Sequence, residues 1–156
     1  MLTNAQSLVL KTAILADGTQ ANNVVIQDYS AIADWLNTAG TFIVWRTNVQ
    51  PSEYRDAITW TEVDALTTGS KFRIWEWLTM SMTAAIDFSR LNVRQGLQDC
   101  WASNTTTRAN LLAIAKRTAT KIEKLFSTGT GTTATPATMA WEGALSADDI
   151  VRALAA

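Results

Sequence analysis

The sequence predicts an all-α fold, a small bundle of about five to seven helices with an extended C-terminal arm. Apolar residues recur at spacings of three and four along most of the chain, which is the period of one helix face. Capping residues precede these segments and glycines follow several of them, as at helix ends. Only two short stretches, 42–45 and 138–142, have a strand-like pattern, so we expect one short β element at one of them.

The 156 residues fit one domain, because two halves of this size would each bury too little apolar surface. Within it, composition separates a helical bundle over 1–128 from a flexible arm and closing helix over 129–156 that does not fold independently. The arm is rich in Gly, Thr and Ala and almost uncharged.

In the first third of the chain, Thr3 caps a helix that ends at Gly18, and Asp28 caps a second helix that ends at Gly40. A polar connection over 19–25 lies between them. The segment 41–46 is β-branched and aromatic, as in a short strand or a buried extended connection. The residues expected to be buried on the two helices are Leu8, Val9, Leu15, Ile32, Trp35 and Leu36.

In the middle of the chain, Pro51 suits the first turn of a short helix, and 60–66 adds another turn. Thr67 or Thr68 caps a helix over 69–82, which we expect to be the central core helix, and Ser89 precedes the next one. The residues expected on their buried faces are Phe72, Trp75, Leu78, Met82, Leu91, Val93, Leu97, Cys100 and Trp101.

The longest helical signal runs over 104–131, with an apolar stripe on one side and basic residues on the other. Three interpretations of the basic face stay open: a solvated surface, a contact with an acidic neighbour in an assembly, or a contact with DNA phosphate. The residues concerned are Arg108, Lys116, Arg117, Lys121 and Lys124.

The C-terminal arm carries three candidate contact residues, Pro136, Met139 and Trp141. Residues 138–142 alternate in polarity, so they are suited to pair with a sheet edge in this or another subunit. The chain closes with a helix that Ser146 caps, with Asp149 three residues later as in a capping box.

Seven tryptophans are a high number for this length. Trp35, Trp75 and Trp101 fall on helical apolar stripes, so we expect them in the core. Trp45 and Trp60 lie in short or irregular segments, where either the core or a neighbouring subunit completes their burial.

Composition argues against an enzyme, a metal centre and a bound cofactor. The chain has no histidine and a single cysteine, Cys100, so the usual general base and common metal-ligand sets are missing. The Gly-Thr run 129–133 lacks the phosphate-loop spacing, and Asp148 and Asp149 fit the start of a helix. The net charge is −1, which gives no global attraction to nucleic acid or an anionic membrane. Without a signal peptide or spanning run, we expect synthesis in the cytoplasm.

Three blocks together resemble small virion proteins of tailed bacteriophages: the start LTNAQSLVLKTAI, FIVWRTNV at 42–49, and the segment 108–150 with its order AKR, GTGTT and WEG. The resemblance covers most of the chain and is greatest to head-tail connector, or adaptor, proteins, which are small, mainly helical and poor in catalytic residues.

The resemblance implies a non-enzymatic protein at the virion neck, made in the host cytoplasm. It implies a homo-oligomeric ring of about twelve copies that binds the portal and the next neck or tail protein. Genomic DNA would pass through the lumen without sequence-specific binding, and no membrane is involved. The alternatives are another virion component, such as a capsid decoration or tail-completion protein, or a DNA-binding accessory protein that uses a basic helix over 105–127.

Overall fold

A computed structural model describes residues 2–80, 85–103 and 105–156, without the side chains of 77–80. The chain divides into two compact units. Unit 1 comprises Met1–Ile43 and Thr118–Ala156, and unit 2 comprises Val44–Arg117. The chain therefore passes from the first unit to the second and back again.

The described residues form ten helices and four short strands. In chain order the elements are α1 (Asn4–Ala16), α2 (Gly18–Val25), α3 (Tyr29–Asn37), β1 (Ala39–Trp45), α4 (Pro51–Asp56), α5 (Trp60–Asp64), α6 (Thr68–Met80), α7 (Leu91–Cys100), α8 (Thr106–Ile114), β2 (Lys116–Thr120), α9 (Lys121–Leu125), β3 (Ser127–Thr128), β4 (Thr138–Met139) and α10 (Ala147–Ala155).

The prediction of an all-α fold with five to seven helices is wrong. The helices dominate, but β1 pairs with β2 and β3 pairs with β4 in two small antiparallel sheets. In the second sheet Ser127 lies opposite Met139. Strand-forming residues were recognised at 41–46 and 138–142, where β1 and β4 lie. Their partners β2 and β3 were assigned to a helix instead.

The predicted long helix over 104–131, and with it the basic helix over 105–127, is also wrong. Helix α8 ends at Ile114, and β2, α9 and β3 follow. At Thr120 the backbone is extended, with φ −72° and ψ 166°, and its hydroxyl accepts a hydrogen bond from the Glu123 N–H at 3.3 Å. The Glu123 carboxylate in turn accepts one from the Thr120 N–H at 2.9 Å. This capping box starts a new helix, so a helix cannot run through it.

In unit 1, α1 begins after Thr3 as predicted, with a capping box to Gln6. The prediction of which side of α1 faces the core is wrong, because Leu10 and Ile14 are the buried residues. Leu8, Val9 and Leu15 are exposed instead. The predicted polar connection is also wrong, since it forms α2. The Asp17 carboxylate accepts hydrogen bonds from the Thr19 and Gln20 N–H groups, both at 3.1 Å, and thereby caps α2.

Helices α3 and α10 confirm the predicted caps at Asp28 and Ser146. Ile32, Leu36 and Ile150 are fully or almost fully buried in the core of unit 1, and Trp35 is half-buried. The Asn37 side chain joins the end of α3 to the segment before α10. Its amide donates to the Leu145 carbonyl at 2.8 Å, and its oxygen accepts from the Leu145 N–H at 2.9 Å.

The segment 129–137 packs against β1 within unit 1. The Ile43 N–H donates to the Gly131 carbonyl at 2.8 Å, and the Ala137 N–H donates to the Ile43 carbonyl at 2.9 Å. Gly131 is buried with φ +66°, and the Phe42 ring occupies the place where a Cβ would project. Both facts restrict this position to glycine.

The core of unit 2 contains Tyr54, Phe88 and Trp101, all fully buried. Pro51 begins α4 and Thr67 precedes α6, with its hydroxyl accepting from the Ser70 N–H at 3.3 Å, as predicted. The burial predicted for Leu97 and Trp101 is confirmed.

Three other burial predictions in unit 2 are wrong, because Phe72, Trp75 and Leu91 are exposed. On α6 it is Ile74 that is buried. The predictions for Leu78 and Met82 lie outside the described side chains. Apolar residues surround α6 on all sides, so its sequence pattern does not define one buried face.

Candidate partner-binding surface

An apolar groove lies between α5 and α6 in unit 2, with a volume of about 370 Å³. Three large aromatic side chains surround it and remain exposed: Trp60 at 55%, Phe72 at 61% and Trp75 at 68%. The other lining residues are Val63, Thr68, Lys71 and Ile74. We call this surface the aromatic groove.

The turn between α5 and α6 is fixed by local hydrogen bonds. The Leu66 N–H donates to the Val63 carbonyl at 3.1 Å. The Lys71 ammonium group reaches back across the turn and donates to the Asp64 carbonyl at 2.9 Å. Among the lining residues that the structure describes, Lys71 is the one charged side chain, and it is bound to the backbone of its own unit.

Helix α5 is held in turn by its contact with α8. The Glu62 carboxylate accepts hydrogen bonds from the Thr106 and Thr107 N–H groups at 2.7 and 2.8 Å. These hydrogen bonds lower the pKa of Glu62, and the bond from the Thr107 N–H has the largest effect. The Thr107 hydroxyl accepts from the Thr59 N–H at 2.9 Å. Glu62 of α5 thus caps the first two amides of α8, beside the N-cap Thr105, and this contact holds the helix that carries Trp60.

The chemistry of the groove is that of a binding surface. Exposed tryptophan and phenylalanine are typical anchors of protein interfaces, because they bury a large area at a small entropy cost. Among the described residues, no group of three or more Cys, Asp or Glu side chains is arranged to hold a metal ion.

Of the predicted contact tryptophans, Trp60 lies at the groove and Trp45 does not. Trp45 is half-buried against the core of unit 2. The Arg94 guanidinium lies 4.5 Å from the centre of its ring, and the Lys116 ammonium lies 5.6 Å away. Burial lowers the pKa of Arg94, whose guanidinium also donates to the Phe88 carbonyl at 2.6 Å. Trp45 is thus held by cation-π contacts within its own unit.

The three candidate residues of the arm, Pro136, Met139 and Trp141, are all half-buried in unit 1. Met139 belongs to β4 and pairs with β3. The Trp141 ring packs edge-on against Phe126, with ring centres 6.2 Å apart and the planes at 71°. The part of each side chain that is already covered contacts unit 1.

The five basic candidates do not share a helix face. Arg108, Lys116 and Arg117 belong to unit 2, and Lys121 and Lys124 belong to unit 1. Three lysines lie over aromatic rings of their own units, at 4.6 to 5.6 Å from the ring centres: Lys116 over Trp45, Lys121 over Trp35 and Lys124 over Phe42. The Arg108 guanidinium donates to the Trp101 carbonyl at 3.3 Å, and Arg117 is half-buried.

Sequence reasoning missed Phe72 and Trp75 as surface residues. It placed both on the buried stripe of α6, with Ile74 beside them. The signal in the sequence is the shortness of the neighbouring segment 60–66, because a helix of one or two turns covers little of the helix beside it.

No helix in the described part of the chain combines the length and apolar character needed to cross a bilayer. Comparisons with protein-family models, curated protein sequences and solved structures find no match to this chain. Functional inference for this chain therefore starts from its residues and their geometry.

Proposed function

We propose that this chain is a non-enzymatic structural protein of a tailed-phage virion that acts as a head-tail adaptor. It forms a ring below the portal, extends the DNA channel and provides a platform for the next neck or tail protein. The observation that carries the proposal is the aromatic groove, where Trp60, Phe72 and Trp75 remain exposed. The sequence resemblance supplies the phage setting.

The size of the aromatic surface supports an assembly role. At their exposed fractions, Trp60, Phe72 and Trp75 together present about 400 Å² of mainly apolar surface. This is comparable to the largest apolar patch of about 300–600 Å² on a typical monomer, and such patches are often functional. A stable pairwise interface takes about 800 Å² from each partner. The three aromatic side chains would therefore supply about half of one such interface, and in a ring the residues around the groove would supply the rest of each subunit contact.

Among the described residues, the carboxylates with a lowered pKa are explained by structural contacts: three cap the starts of helices, and Glu53 pairs with the Arg46 guanidinium. The pKa values of Asp28, Glu62 and Asp149 are lowered chiefly by hydrogen bonds from backbone N–H groups at the starts of α3, α8 and α10. Their perturbation is explained by helix capping, so these carboxylates give no reason to infer acid-base chemistry.

The DNA-binding alternative depended on a continuous basic helix, which the chain does not form. In the adaptor role DNA passes through the lumen without sequence-specific binding.

The test is co-purification with the portal protein of the phage that encodes the chain. Tagged portal should retain wild-type chain as a ring visible by electron microscopy at one end of the portal. Trp75→Ser should lower the retained amount, whereas Leu91→Ser, at a similarly exposed leucine on α7, should not. Retention by capsid shells or by DNA in place of the portal would contradict the adaptor proposal.

A further inference from the structure

The outward face of α1 is an uncharged, mainly aliphatic surface. On a helix with 3.6 residues per turn, the following exposed residues fall within one stripe: Ala5, Leu8, Val9, Thr12, Leu15 and Ala16. Lys11 lies at the edge of this stripe, and its ammonium group donates to the carbonyl oxygen of Ala156 at 2.9 Å. We call this surface the α1 stripe.

Helix α1 is therefore apolar on two sides. Its opposite side carries Leu10 and Ile14, both fully buried in the core of unit 1. A surface helix ordinarily has one apolar face and one polar face, and a helix that is apolar all round is ordinarily buried. The α1 stripe has the composition of a second buried face, which a single copy of the chain leaves uncovered.

We infer that the α1 stripe of one copy packs into the aromatic groove of the next copy. This inference rests on the proposed ring-forming function and specifies the contact between its subunits. The contact is head-to-tail: every subunit offers the stripe to one neighbour and the groove to the other. Contacts that use two different surfaces of the same molecule generate closed rings when the rotation between subunits closes.

The two surfaces match in chemistry. The α1 stripe bears no charge, and Lys71, the one charged residue among the described groove lining, is bound to the Asp64 carbonyl. Packing the two surfaces together therefore buries no unpaired charge from the residues named here. The pairing of a helix with an apolar groove is a common recognition mode, in which residues at spacings of three, four and seven act as anchors. Leu8 and Leu15 have the spacing of seven.

The groove also has room for side chains of the α1 stripe. Leu8 and Leu15 are about 10 Å apart along the helix axis. The groove volume of about 370 Å³ is enough for a few aliphatic side chains. The exposed aromatic surface alone reaches about half the area of a stable interface. A helix laid across the groove adds contacts on both sides of it.

The experiment uses two charge variants of the full chain, each with a matched control. Val9→Glu places a charge on the α1 stripe, and Val151→Glu makes the same change on α10 at almost the same exposure, 46% against 45%. Phe72→Glu places a charge in the groove, and Leu91→Glu makes it on α7 at the same exposure of 61%. Self-association is measured by analytical ultracentrifugation at up to about 100 µM.

The expected result is that wild type and both controls self-associate, while Val9→Glu and Phe72→Glu each associate at least about tenfold more weakly. An equal mixture of the two variants should form a dimer of about 34 kDa, twice the 17.0 kDa chain. The Phe72→Glu copy retains an intact stripe and the Val9→Glu copy an intact groove, so one contact forms and growth stops there.

Several outcomes would overturn the inference. One is a wild-type chain that stays monomeric at the highest concentration, and another is that the two variants associate like wild type. A third is that the mixture gives no dimer, which is the result expected if stripes pair with stripes or grooves with grooves. If circular dichroism shows that Val9→Glu does not fold, Leu8→Lys is used in its place, and Trp75→Lys is used in the same way for Phe72→Glu. Portal binding separates the two proposals. If the Val9→Glu and Phe72→Glu variants still form rings on the portal, this contact is refuted and the adaptor role stands. If the wild-type chain self-associates through this contact but does not bind the portal, the adaptor role is refuted and the contact stands.

Discussion

Replacing Gly131 with alanine should destabilise unit 1 strongly. The residue has φ +66° and is buried, and the Phe42 ring lies where the new Cβ would be. Its carbonyl oxygen also accepts the Ile43 N–H at 2.8 Å. The backbone therefore cannot relax to negative φ without losing this hydrogen bond to β1.

Two costs add at this position. A non-glycine residue in the left-handed region costs about 1–2 kcal/mol, and overpacking a filled site costs about 1–3 kcal/mol more. The expected loss is about 2–5 kcal/mol, a large part of the roughly 5–15 kcal/mol that keeps a domain folded. For a chain of this length, Tm should fall by roughly 5–15 °C.

The assay is thermal unfolding followed by far-UV circular dichroism, with Gly18→Ala as the control. Gly18 is the first residue of α2, and no atom lies within 4 Å of the position its Cβ would take. Its replacement should leave Tm unchanged or raise it slightly. In a Phe42→Ala background, Gly131→Ala should cost less, because the ring that it meets is gone. A Gly131→Ala protein that melts within about 2 °C of wild type would refute the reasoning.

Three further predictions concern polar contacts. Glu53→Gln should cost about 1 kcal/mol at pH 7, because it weakens a partly exposed pair with the Arg46 guanidinium at 2.7 Å. The Arg46 hydrogen bond lowers the pKa of Glu53 below its ordinary 4.5. The difference in unfolding free energy between wild type and variant, measured with urea, should therefore vanish as the pH falls through that lowered pKa. A difference that persists at lower pH would contradict the pairing. Glu62→Gln should speed hydrogen exchange at the first two amides of α8, which the carboxylate caps, and unchanged rates would show that the cap is dispensable. Thr120→Ala removes the acceptor for the Glu123 N–H and should lower the urea midpoint by the equivalent of about 1 kcal/mol, whereas a raised midpoint would favour a continuous helix there.

Local chemistry explains which parts of the fold could be predicted. Thr3, Asp28 and Ser146 were recognised as caps because a short polar side chain before a helical segment satisfies backbone N–H groups regardless of the rest of the chain. The β-branched and aromatic run at β1 was recognised as a strand for an equally local reason.

The parts that could not be predicted depend on distant residues. The strand β2 forms because β1, some seventy residues earlier, offers a partner edge, and that gain outweighs the helical spacing of the segment. The choice of faces on α1 and α6 has the same origin. Both helices have apolar residues on several sides, so only the packing of other elements determines that Ile14 and Ile74 are buried while Leu15 and Trp75 are exposed.

The candidate site was predicted in part. Trp60 was named as a contact residue and lies exposed at the groove, although its contact with a partner stays a prediction. Phe72 and Trp75 were assigned to the core, because large aromatic residues on a helical stripe are ordinarily buried. An interface uses the same residue types as a core, and sequence periodicity cannot distinguish the two.

Mass photometry of the purified chain mixed with its portal tests the adaptor role most directly. The adaptor proposal predicts a portal-sized species that gains about 200 kDa, the mass of about twelve copies of the 17.0 kDa chain. A portal whose mass does not change, with the chain instead bound to capsid shells or to DNA, would contradict it.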